Sequence, residues 1–507
     1  MPEYRIIPKP EWYEEKEGSI EVSLAAEGLR PAEFASDVYP IRLVTDQTLE
    51  PEAYVLTVSE NGIEICASGD AGAFYGMVTW RMILMQVEKK DGRKVVHCLR
   101  ISDSPRYSYR GVSLDESRHF FGVETVKKLL DQMASLKLNT FHWHLSDDQG
   151  FRVESKLFPR LNSVGSRRAC AGLRGCSLEH RGGEYFHYYT QEEIREIVAY
   201  AKALHIRVIP EIDLPGHTSA ILAAYPEYAC DLNGIPRMFA TASESGIFDA
   251  ILCAGSDAAM EFVDRLFSEI CPLFEAEYFH IGGDEALEGH KIWAQCPRCR
   301  ALQEEQGLHS RKELQGFYMT RVGKLLKKYG KKAIVWNDCI NDSFSQDIAC
   351  QYWIADNAGE VQRQSRMRDV ILSLTEYFYF DYKYEKLPLE KVYSFDEEKI
   401  GFGGEDQRVI GLECENWTEF TDTPEALEFG LYPRIAAFAE VSWTRRGRRE
   451  YRDFQERFAW YLSYLDSEGI NYSRIADGSY RNTDSYVFHR GADGEEFLQN
   501  EKLKLQC

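Results

Sequence analysis

From Tyr107 onward, short apolar segments typical of buried strands alternate with longer segments of helical periodicity. The strand-like segments are YRGVSLD, NTFHWHL, IRVIPEID, YFHIGGD, AIVWND, IACQYW, VILSLTEYFY and VIGLECENW. The helical segments between them include VETVKKLLDQMASLK, TQEEIREIVAYAKALH, AAMEFVDRLFSEICPLF and RKELQGFYMTRVGKLLKKYG. Eight strands that alternate with helices predict an α/β fold, the parallel (β/α)8 TIM barrel.

The chain before the barrel has a different pattern. YVLTVS and GIEICAS alternate apolar and polar residues around Glu60-Asn61-Gly62, which indicates a β-hairpin, and residues 71–87 have helical periodicity. Asp103-Ser104-Pro105 is typical of a boundary. We therefore expect three parts: an α+β supporting domain over residues 1–105, a catalytic barrel over residues 106–475, and a C-terminal tail over residues 476–507 that lacks a clear element.

The net charge of the chain restricts its possible binding partners. Asp plus Glu number 81 against 60 Lys plus Arg, a net charge of -21, and such a surface repels nucleic acid and anionic membranes.

The first residues lack the order of a signal peptide, and no apolar run is long enough to span a membrane. The 13 cysteines follow no disulfide framework, which favours reduced thiols and a cytoplasmic location. A homodimer is possible, but nothing in the sequence requires one.

The fourth strand-like segment ends in two adjacent carboxyl groups. In YFHIGGDEA, residues 278–286, Asp284 and Glu285 stand side by side after Gly282 and Gly283. Burial and mutual repulsion raise the pKa of at least one of them, so one can hold a proton near neutrality while the other stays ionised. This division suits bond cleavage by a general acid beside a charge-stabilising carboxylate. Taken alone, Gly-Gly-Asp-Glu is more often a solvated turn.

Other strand ends supply a matching set of polar and aromatic residues. Chemistry in such barrels occurs at the C-terminal ends of the strands. Tryptophan faces can pack on the C–H surface of a sugar ring while charged groups bind its hydroxyls, so the set predicts a carbohydrate site. Its members are Arg118, Asp147, Asp148, Asp213, His217, Trp336, Trp353, Tyr379, Asp381, Trp417 and Glu419.

Several ordered motifs resemble glycoside hydrolase family 20, the β-N-acetylhexosaminidases: RGVSLDESRHFF, LNTFHWHLSDDQGFRVESKLFPRL, IRVIPEIDLPGHTSAILAAYPE, FHIGGDEA and the Trp-Thr-Glu near 417. The likeness extends from about Tyr107 to Tyr472, and residues 35–105 resemble the small domain that precedes the barrel in many members. It implies a retaining exo-glycosidase that removes terminal β-linked N-acetylglucosamine or N-acetylgalactosamine from oligosaccharides or glycoconjugates. We expect neither a cofactor nor a metal.

The resemblance also implies the mechanism and the role of each residue. The carbonyl oxygen of the substrate's 2-acetamido group attacks the anomeric carbon and forms an oxazolinium intermediate. Glu285 resembles the general acid, and Asp284 the carboxylate that orients the acetamido N–H. The remaining residues resemble substrate ligands and their supports: Tyr379 on the acetamido oxygen; Trp336, Trp353 and Trp417 around its methyl group; Arg118, Asp381 and Glu419 on sugar hydroxyls; Asp147 and His217 behind the general acid.

Two alternatives stay open. His142-Trp143-His144 puts two histidines on one side of a strand near its end, where both could reach one metal, as in a metal-dependent barrel hydrolase. Such a metal site would need further histidines on later strands, and the later strand-like segments AIVWND and IACQYW offer none. A non-catalytic N-acetylhexosamine-binding protein would keep the tryptophans but need not keep both Asp284 and Glu285. The preferred sugar configuration, linkage, aglycone and product length depend on loops around residues 150–189 and 225–250, whose shape the sequence does not define. Residues 150–189 are rich in Gly and Arg, and we expect them to form a long loop over the barrel mouth.

Cys296-Pro-Arg-Cys299 is a Cys-x-x-Cys motif without a second such pair. A lone motif of this kind is weak evidence for zinc. The sequence therefore predicts two thiols in the turn that begins a helix.

Overall fold

The structure is a computed structural model that describes residues 4–23, 41–88, 93–170, 184–232, 237–474, 486–490 and 496–500. For residues 287–288 and the last two ranges it describes the backbone alone.

The first part of the chain forms a five-stranded sheet with one helix. Its elements are β1 (Trp12–Ser23), β2 (Ile41–Thr45), β3 (Tyr54–Ser59), β4 (Gly62–Ala67), α1 (Asp70–Gln86) and β5 (Arg93–Asp103). The strand order is β1-β5-β3-β4-β2, in which only β2 and β4 pair in parallel. The predicted hairpin is confirmed as β3 and β4, and alternate residues of both are buried because one face of the sheet packs on α1.

The predicted eight-stranded barrel is confirmed. The strands that follow the small sheet are β6 (Tyr109–Asp115), β7 (Thr140–His144), β8 (Ser146–Asp147), β9 (Gly150–Phe151), β10 (Arg167–Arg168), β11 (Tyr185–Phe186), β12 (Arg207–Glu211), β13 (Tyr278–His280), β14 (Lys332–Trp336), β15 (Ala349–Tyr352), β16 (Val370–Leu372) and β17 (Val409–Cys414). Strands β6, β7 and β12 to β17 pair in parallel and close on themselves. Inside the closed sheet, Tyr109, Ile209, Ile334 and Ile371 form an apolar cluster.

Helices cover the outside of the barrel because their apolar faces are buried against the strands. They are α2 (Val123–Ser135), α3 (Gln191–Ala203), α4 (Ser219–Ala224), α5 (Asp257–Ile270), α6 (Leu287–Gln295), α7 (Pro297–Glu305), α8 (Arg311–Lys328), α9 (Ala358–Gln364), α10 (Thr375–Phe378), α11 (Leu389–Tyr393), α12 (Pro424–Leu431), α13 (Arg434–Trp443) and α14 (Tyr451–Ser467). Thr190 and Glu193 form a capping box at the start of α3. No helix within the described ranges has both the length and the apolar character needed to cross a membrane.

Buried charges join the small domain to the N-terminal ends of β6 and β7. Arg110 in β6 is fully buried and donates from both terminal nitrogens to Glu52, at 3.0 and 3.1 Å. Nearby, Nζ of Lys137 lies 2.9 Å from Oδ2 of Asp103 and donates to the hydroxyl of Tyr54. The small domain therefore supports the barrel at the end opposite to the predicted active site.

Two expectations about secondary-structure elements change. The segment VILSLTEYFY is strand only over Val370–Leu372, and α10 follows it. The predicted long loop over residues 150–189 contains β9, a π-helical turn at Leu161–Gly165, and the pair β10–β11, while residues 171–183 lie outside the described ranges. Buried Arg152 fastens this segment to the barrel by donating to neighbouring carbonyl groups.

The expectation that the tail lacks a clear element is wrong where the structure describes it. Two strands, β18 (Tyr486–Arg490) and β19 (Glu496–Asn500), pair antiparallel. The predicted boundary at residue 105 falls between the end of β5 at Asp103 and the start of β6 at Tyr109.

Candidate active site

The turn after β13 brings Asp284 and Glu285 to the C-terminal rim of the barrel. Gly282 and Gly283 have φ angles of 62° and 98°, which residues with a side chain rarely adopt. A Cβ at Gly282 would also overlap the carboxylate of Asp213. Both glycines are therefore required for the turn.

Glu285 itself has a positive φ of 48°, a conformation that needs support. Its backbone N–H donates to Oδ2 of Asp338 at 2.8 Å, and Nε1 of Trp353 donates to Oδ1 of the same carboxylate at 3.3 Å. Burial raises the pKa of Asp338 to about 6. Asp338 was missed by the sequence patterns, although it follows β14 closely, as Asp284 follows β13.

The two adjacent acids lie in different environments. The side chain of Asp284 is 13% exposed and that of Glu285 is 33% exposed. Burial raises the pKa of Asp284 to about 7, with a further rise from the charges of Asp338 and Glu285. Asp284 is the more deeply buried of the two acids, and its pKa is raised, as the sequence predicted for at least one of them. The resemblance, by contrast, assigned the transferred proton to Glu285.

His217 connects these acids to a second pair of carboxylates. Its Nδ1 lies 3.1 Å from Oδ1 of Asp147 and 3.1 Å from Oδ2 of Asp148. Its Nε2 lies 3.5 Å from Oε2 of Glu285 and 3.7 Å from Oδ2 of Asp284. Burial alone would lower the pKa of His217, but the charge of Asp147 and hydrogen bonds to the carboxylates raise it well above its ordinary value. His217 is therefore a cation among four acids.

Arg118 provides the second cation of the rim. Its Nη2 lies 2.9 Å from Oδ2 of Asp147 and 3.8 Å from Oε1 of Glu419, and its Nε donates to Oε1 of Gln149 at 2.8 Å. The guanidinium carbon lies 5.1 Å from the centre of the Trp417 ring. The structure thus brings the predicted residues Arg118, Asp147 and Glu419 together.

Four aromatic rings form one continuous surface, which we call the aromatic wall: Trp336, Trp353, Tyr379 and Trp417. Ring centres are separated by 6.5 Å for Trp336–Trp353, 6.2 Å for Trp353–Tyr379, 6.4 Å for Tyr379–Trp417 and 5.9 Å for Trp336–Trp417. Trp336 is buried, whereas Trp353 and Trp417 are partly exposed and can contact a ligand. The predicted tryptophans therefore lie at one place, together with Tyr379.

Asp381, the remaining predicted residue, lies beside this wall. It lines a small cavity with Trp417. Burial raises the pKa of Tyr379 well above its ordinary value, and the charges of Glu415 and Asp381 raise it further. Tyr379 therefore keeps its proton and is a hydrogen-bond donor at neutral pH.

Below the wall, a buried carboxylate holds several side chains in place. Oε2 of Glu211 lies 3.0 Å from Nε2 of His142 and 2.6 Å from Nδ1 of His144, and Oε1 accepts from Nε1 of Trp336 at 2.9 Å. Nδ1 of His280 is 2.8 Å from Oε1. Glu211 and His280 were missed because they lie inside strand patterns, where the alternation that points a side chain into a barrel is masked by general burial.

This network bears on the metal-dependent alternative. His142 and His144 do point to the same place, as expected, but both contact Glu211. The second nitrogen of His144 lies 3.0 Å from Oδ2 of Asp147, so both nitrogens of that ring contact carboxylates. His144 in this arrangement has no nitrogen left for a metal ion.

An eight-stranded parallel barrel with adjacent acids and an aromatic wall at its C-terminal rim has the architecture of a glycoside hydrolase. The family model described as "Glycosyl hydrolase family 20, catalytic domain" matches residues 107–446, and "Glycosyl hydrolase family 20, domain 2" matches residues 3–104. The chain belongs to glycoside hydrolase family 20, which confirms the predicted family.

Relatives agree with this assignment. A β-hexosaminidase from Porphyromonas gingivalis is 33% identical over 93% of this chain and 65% of its own length, and one from Vibrio furnissii is 35% identical over 79% of this chain and 66% of its own length. The chain thus spans about two thirds of these relatives. A β-N-acetylhexosaminidase from Cellulomonas fimi is 31% identical over 93% of this chain and 96% of its own length.

Solved structures give the same result. The GH20 exo-β-N-acetylglucosaminidase from Vibrio harveyi, in complex with N-acetylglucosamine, matches with a TM-score of 0.80 and 30% identity. The match covers 94% of this chain and 80% of that chain. The N-acetyl-β-hexosaminidase from Streptomyces plicatus matches with a TM-score of 0.78 and 28% identity over 94% and 97% of the two chains.

Proposed function

We propose that this chain is a retaining exo-glycosidase that removes terminal β-linked N-acetylhexosamine from oligosaccharides or glycoconjugates by substrate-assisted catalysis. The proposal rests on one observation above all: Asp284 and Glu285 lie side by side, both within 3.7 Å of the His217 imidazole, at a rim that also carries the aromatic wall. Family membership and the names of the relatives support the same substrate class.

In the first step the substrate amide is the nucleophile. The acetamido methyl group packs on the aromatic wall, Tyr379 donates to the amide oxygen, and Asp284 accepts the amide N–H. The amide oxygen attacks the anomeric carbon, the glycosidic bond breaks, and its oxygen takes the proton of Glu285. The resulting oxazolinium ion carries a positive charge, which ionised Asp284 stabilises.

In the second step water opens the ring. Glu285, now a carboxylate, removes a proton from water as the water attacks the anomeric carbon from the face that the leaving group vacated. The bond to the amide oxygen breaks, and the acetamido group is restored. Two inversions at the same carbon retain the β configuration, and neither step needs a cofactor.

The environment of Asp284 favours this route. The substrate is neutral and the intermediate is a cation, so a carboxylate beside it stabilises the transition state more than the bound substrate. A pKa of about 7 means that little free energy separates the neutral and ionised forms of Asp284 near neutrality. Developing positive charge then favours the ionised form.

His217 supports the proton transfer by Glu285. When Glu285 gives up its proton, it becomes an anion 3.5 Å from the cationic imidazole. Asp147 and Asp148 hold that imidazole by its other nitrogen. The imidazolium therefore lowers the cost of the carboxylate that Glu285 becomes between the two steps.

The direct test is release of a chromophore from aryl 2-acetamido-2-deoxy-β-glycosides of the gluco and galacto series. We expect turnover of at least one series, and a loss of about 10⁴-fold in kcat/KM for the matching 2-hydroxy glycoside, which lacks the nucleophile. No release from either series, with N-acetylglucosamine still bound, would contradict the proposal and favour the non-catalytic binding protein.

A further inference from the structure

In the folded chain, two further cysteines lie beside the Cys-x-x-Cys motif. Cys296 and Cys299 meet Cys230 and Cys253, and all four side chains are buried. Sγ–Sγ separations are 3.7 Å for Cys230–Cys299, 3.8 Å for Cys253–Cys296 and 3.7 Å for Cys253–Cys299. All four sulfur atoms lie within 4.8 Å of one another. We call these residues the four-cysteine cluster.

The separations match those around a tetrahedral metal ion. A Zn–S bond is about 2.3 Å, so the edges of a regular ZnS4 tetrahedron are about 3.8 Å long. A disulfide would place two sulfurs about 2.05 Å apart, and none of these cysteines is so bonded. The described separations therefore leave room for one ion at the centre.

The local backbone presents the sulfurs to that centre. Cys296 is the residue before α7 and Cys299 lies in its first turn, where the backbone N–H of Cys299 donates to the sulfur of Cys296. The positive end of a helix and such N–H groups stabilise thiolates. A Cβ at Gly255 would overlap the carbonyl of Arg298, so only glycine lets the segment of Cys253 approach this turn.

A positive side chain lies beside the cluster. Four thiolates around a divalent ion leave a net charge of −2, which requires compensation. The guanidinium of Arg298 donates to the sulfur of Cys296 and also to the carbonyl oxygen of Ala229 at 3.1 Å. Arg298 therefore joins two ligand segments and offsets part of the charge.

We propose that Cys230, Cys253, Cys296 and Cys299 bind one zinc ion in a structural site. Four protein ligands leave no open position for a substrate or water, so this ion has no part in the glycosidase reaction. The expectation of no metal, and of two isolated thiols, is thereby revised: the pair does begin a helix, but its partners come from another loop.

The position of the cluster indicates what the ion does. Cys230 and Cys253 belong to the connection from β12 to α5, which carries His217, whereas Cys296 and Cys299 follow β13 and the two acids. Next to Cys253, the N–H of Leu252 donates to the carbonyl of Pro215 at 3.0 Å, two residues from His217. The zinc ion therefore cross-links the two loops that hold the catalytic acids and their imidazole partner.

Metal content and ligand type test the proposal on the full chain, purified under reducing conditions. We expect about one zinc ion per chain by elemental analysis, and X-ray absorption showing four sulfur neighbours at about 2.3 Å. Cys253→Ser and Cys296→Ser should lose most of the zinc. Cys271→Ser, which changes an equally buried cysteine outside the cluster, should keep it.

If the cluster variants do not fold, cobalt exchange of the wild-type protein decides the question. The expected result is a sulfur-to-cobalt charge-transfer band together with an unchanged kcat, because the ion does not touch the substrate. A wild-type chain without zinc, or with two disulfides among these four cysteines, would overturn the proposal. A kcat that changes with the metal would overturn its structural role. None of these results depends on whether the substrate amide is the nucleophile.

Discussion

At the scale of single residues, burial changes the acid–base chemistry of Asp284. Its carboxyl group has a pKa of about 7 instead of 3.8 because it is buried, while the cation His217 opposes the shift only in part. The folded chain thus binds more protons at this group than the unfolded chain between about pH 4 and pH 7, and its stability falls as the pH rises through that range.

Asp284→Asn should therefore separate stability from activity. Because asparagine carries no charge, the Tm of the variant should rise relative to wild type from pH 4 to pH 7 and differ by a constant amount above that, as measured by thermal unfolding. Roughly 1.4 kcal/mol corresponds to each pKa unit, so the gain is a few kcal/mol at most. Activity should fall about 100- to 1,000-fold with loss of the stabilising charge.

Asp257→Asn makes the same change at an exposed position and should show neither effect. A Tm difference that stayed flat over the same pH range would mean that Asp284 is ionised in the folded chain throughout.

Glu285→Gln should reveal the general acid through the leaving group. An activated aryl group departs with little protonation, whereas a sugar alkoxide needs a full proton, so the loss in kcat/KM should be far larger for a disaccharide. We expect kcat/KM for the disaccharide to fall about 10²- to 10⁴-fold. For a nitrophenyl glycoside, we expect a much smaller loss in the rate of the bond-breaking step. Equal losses on both substrates would remove Glu285 from this role.

At the scale of elements, the pair between Glu52 and Arg110 fastens the small domain to the barrel. Burial raises the pKa of Glu52, but the charge and hydrogen bonds of Arg110 outweigh it and hold the pKa below 4.5. The contribution of the pair to stability is therefore complete above pH 4.5 and is lost as the pH falls further.

Glu52→Gln leaves the buried guanidinium without its anion and should cost about 3 kcal/mol at pH 7, measured by urea unfolding. The deficit should shrink at pH values below 4.5. Glu50→Gln, two residues away on an exposed side chain, should change stability by less than about 0.5 kcal/mol. Similar effects of the two substitutions would show that the Glu52–Arg110 pair does not hold the domains together.

Element types were predictable where local patterns determine them. The eight barrel strands and the main helices follow from apolar runs and helical periodicity, which depend on neighbours in sequence. The hairpin β18–β19 was not foreseen, because its strands have no strong alternation. The change from strand to helix after Leu372 was also missed, since Val370 to Tyr379 is mostly apolar and such runs do not distinguish strand from helix.

The site was predictable to the extent that its residues follow strands. Asp284, Trp336 and Trp417 each stand at or just after a strand end, where a barrel collects them. Glu211, His280 and the four-cysteine cluster depend on contacts between segments far apart in the chain. No local spacing encodes such contacts, so the sequence patterns missed the first two and treated Cys296 and Cys299 as an isolated pair.

At the scale of the whole molecule, the charge of -21 sets the expected partners. A neutral glycan is not repelled by such a surface, whereas nucleic acid is. The exclusion of nucleic acid and membranes, the cytoplasmic location and the possible homodimer stay predictions from the sequence. A reducing compartment would also keep the four-cysteine cluster available for a metal ion.

The central claim is that the amide of the substrate, rather than a protein side chain, forms the bond to the anomeric carbon. It is tested most directly by kcat for a series of aryl β-glycosides whose N-acetyl group carries zero, one, two or three fluorine atoms. Fluorine withdraws electrons from the carbonyl oxygen, so we predict a steady fall in rate, reaching at least about 100-fold, or ~2.7 kcal/mol, at three fluorines. Equal rates across the series would contradict the account.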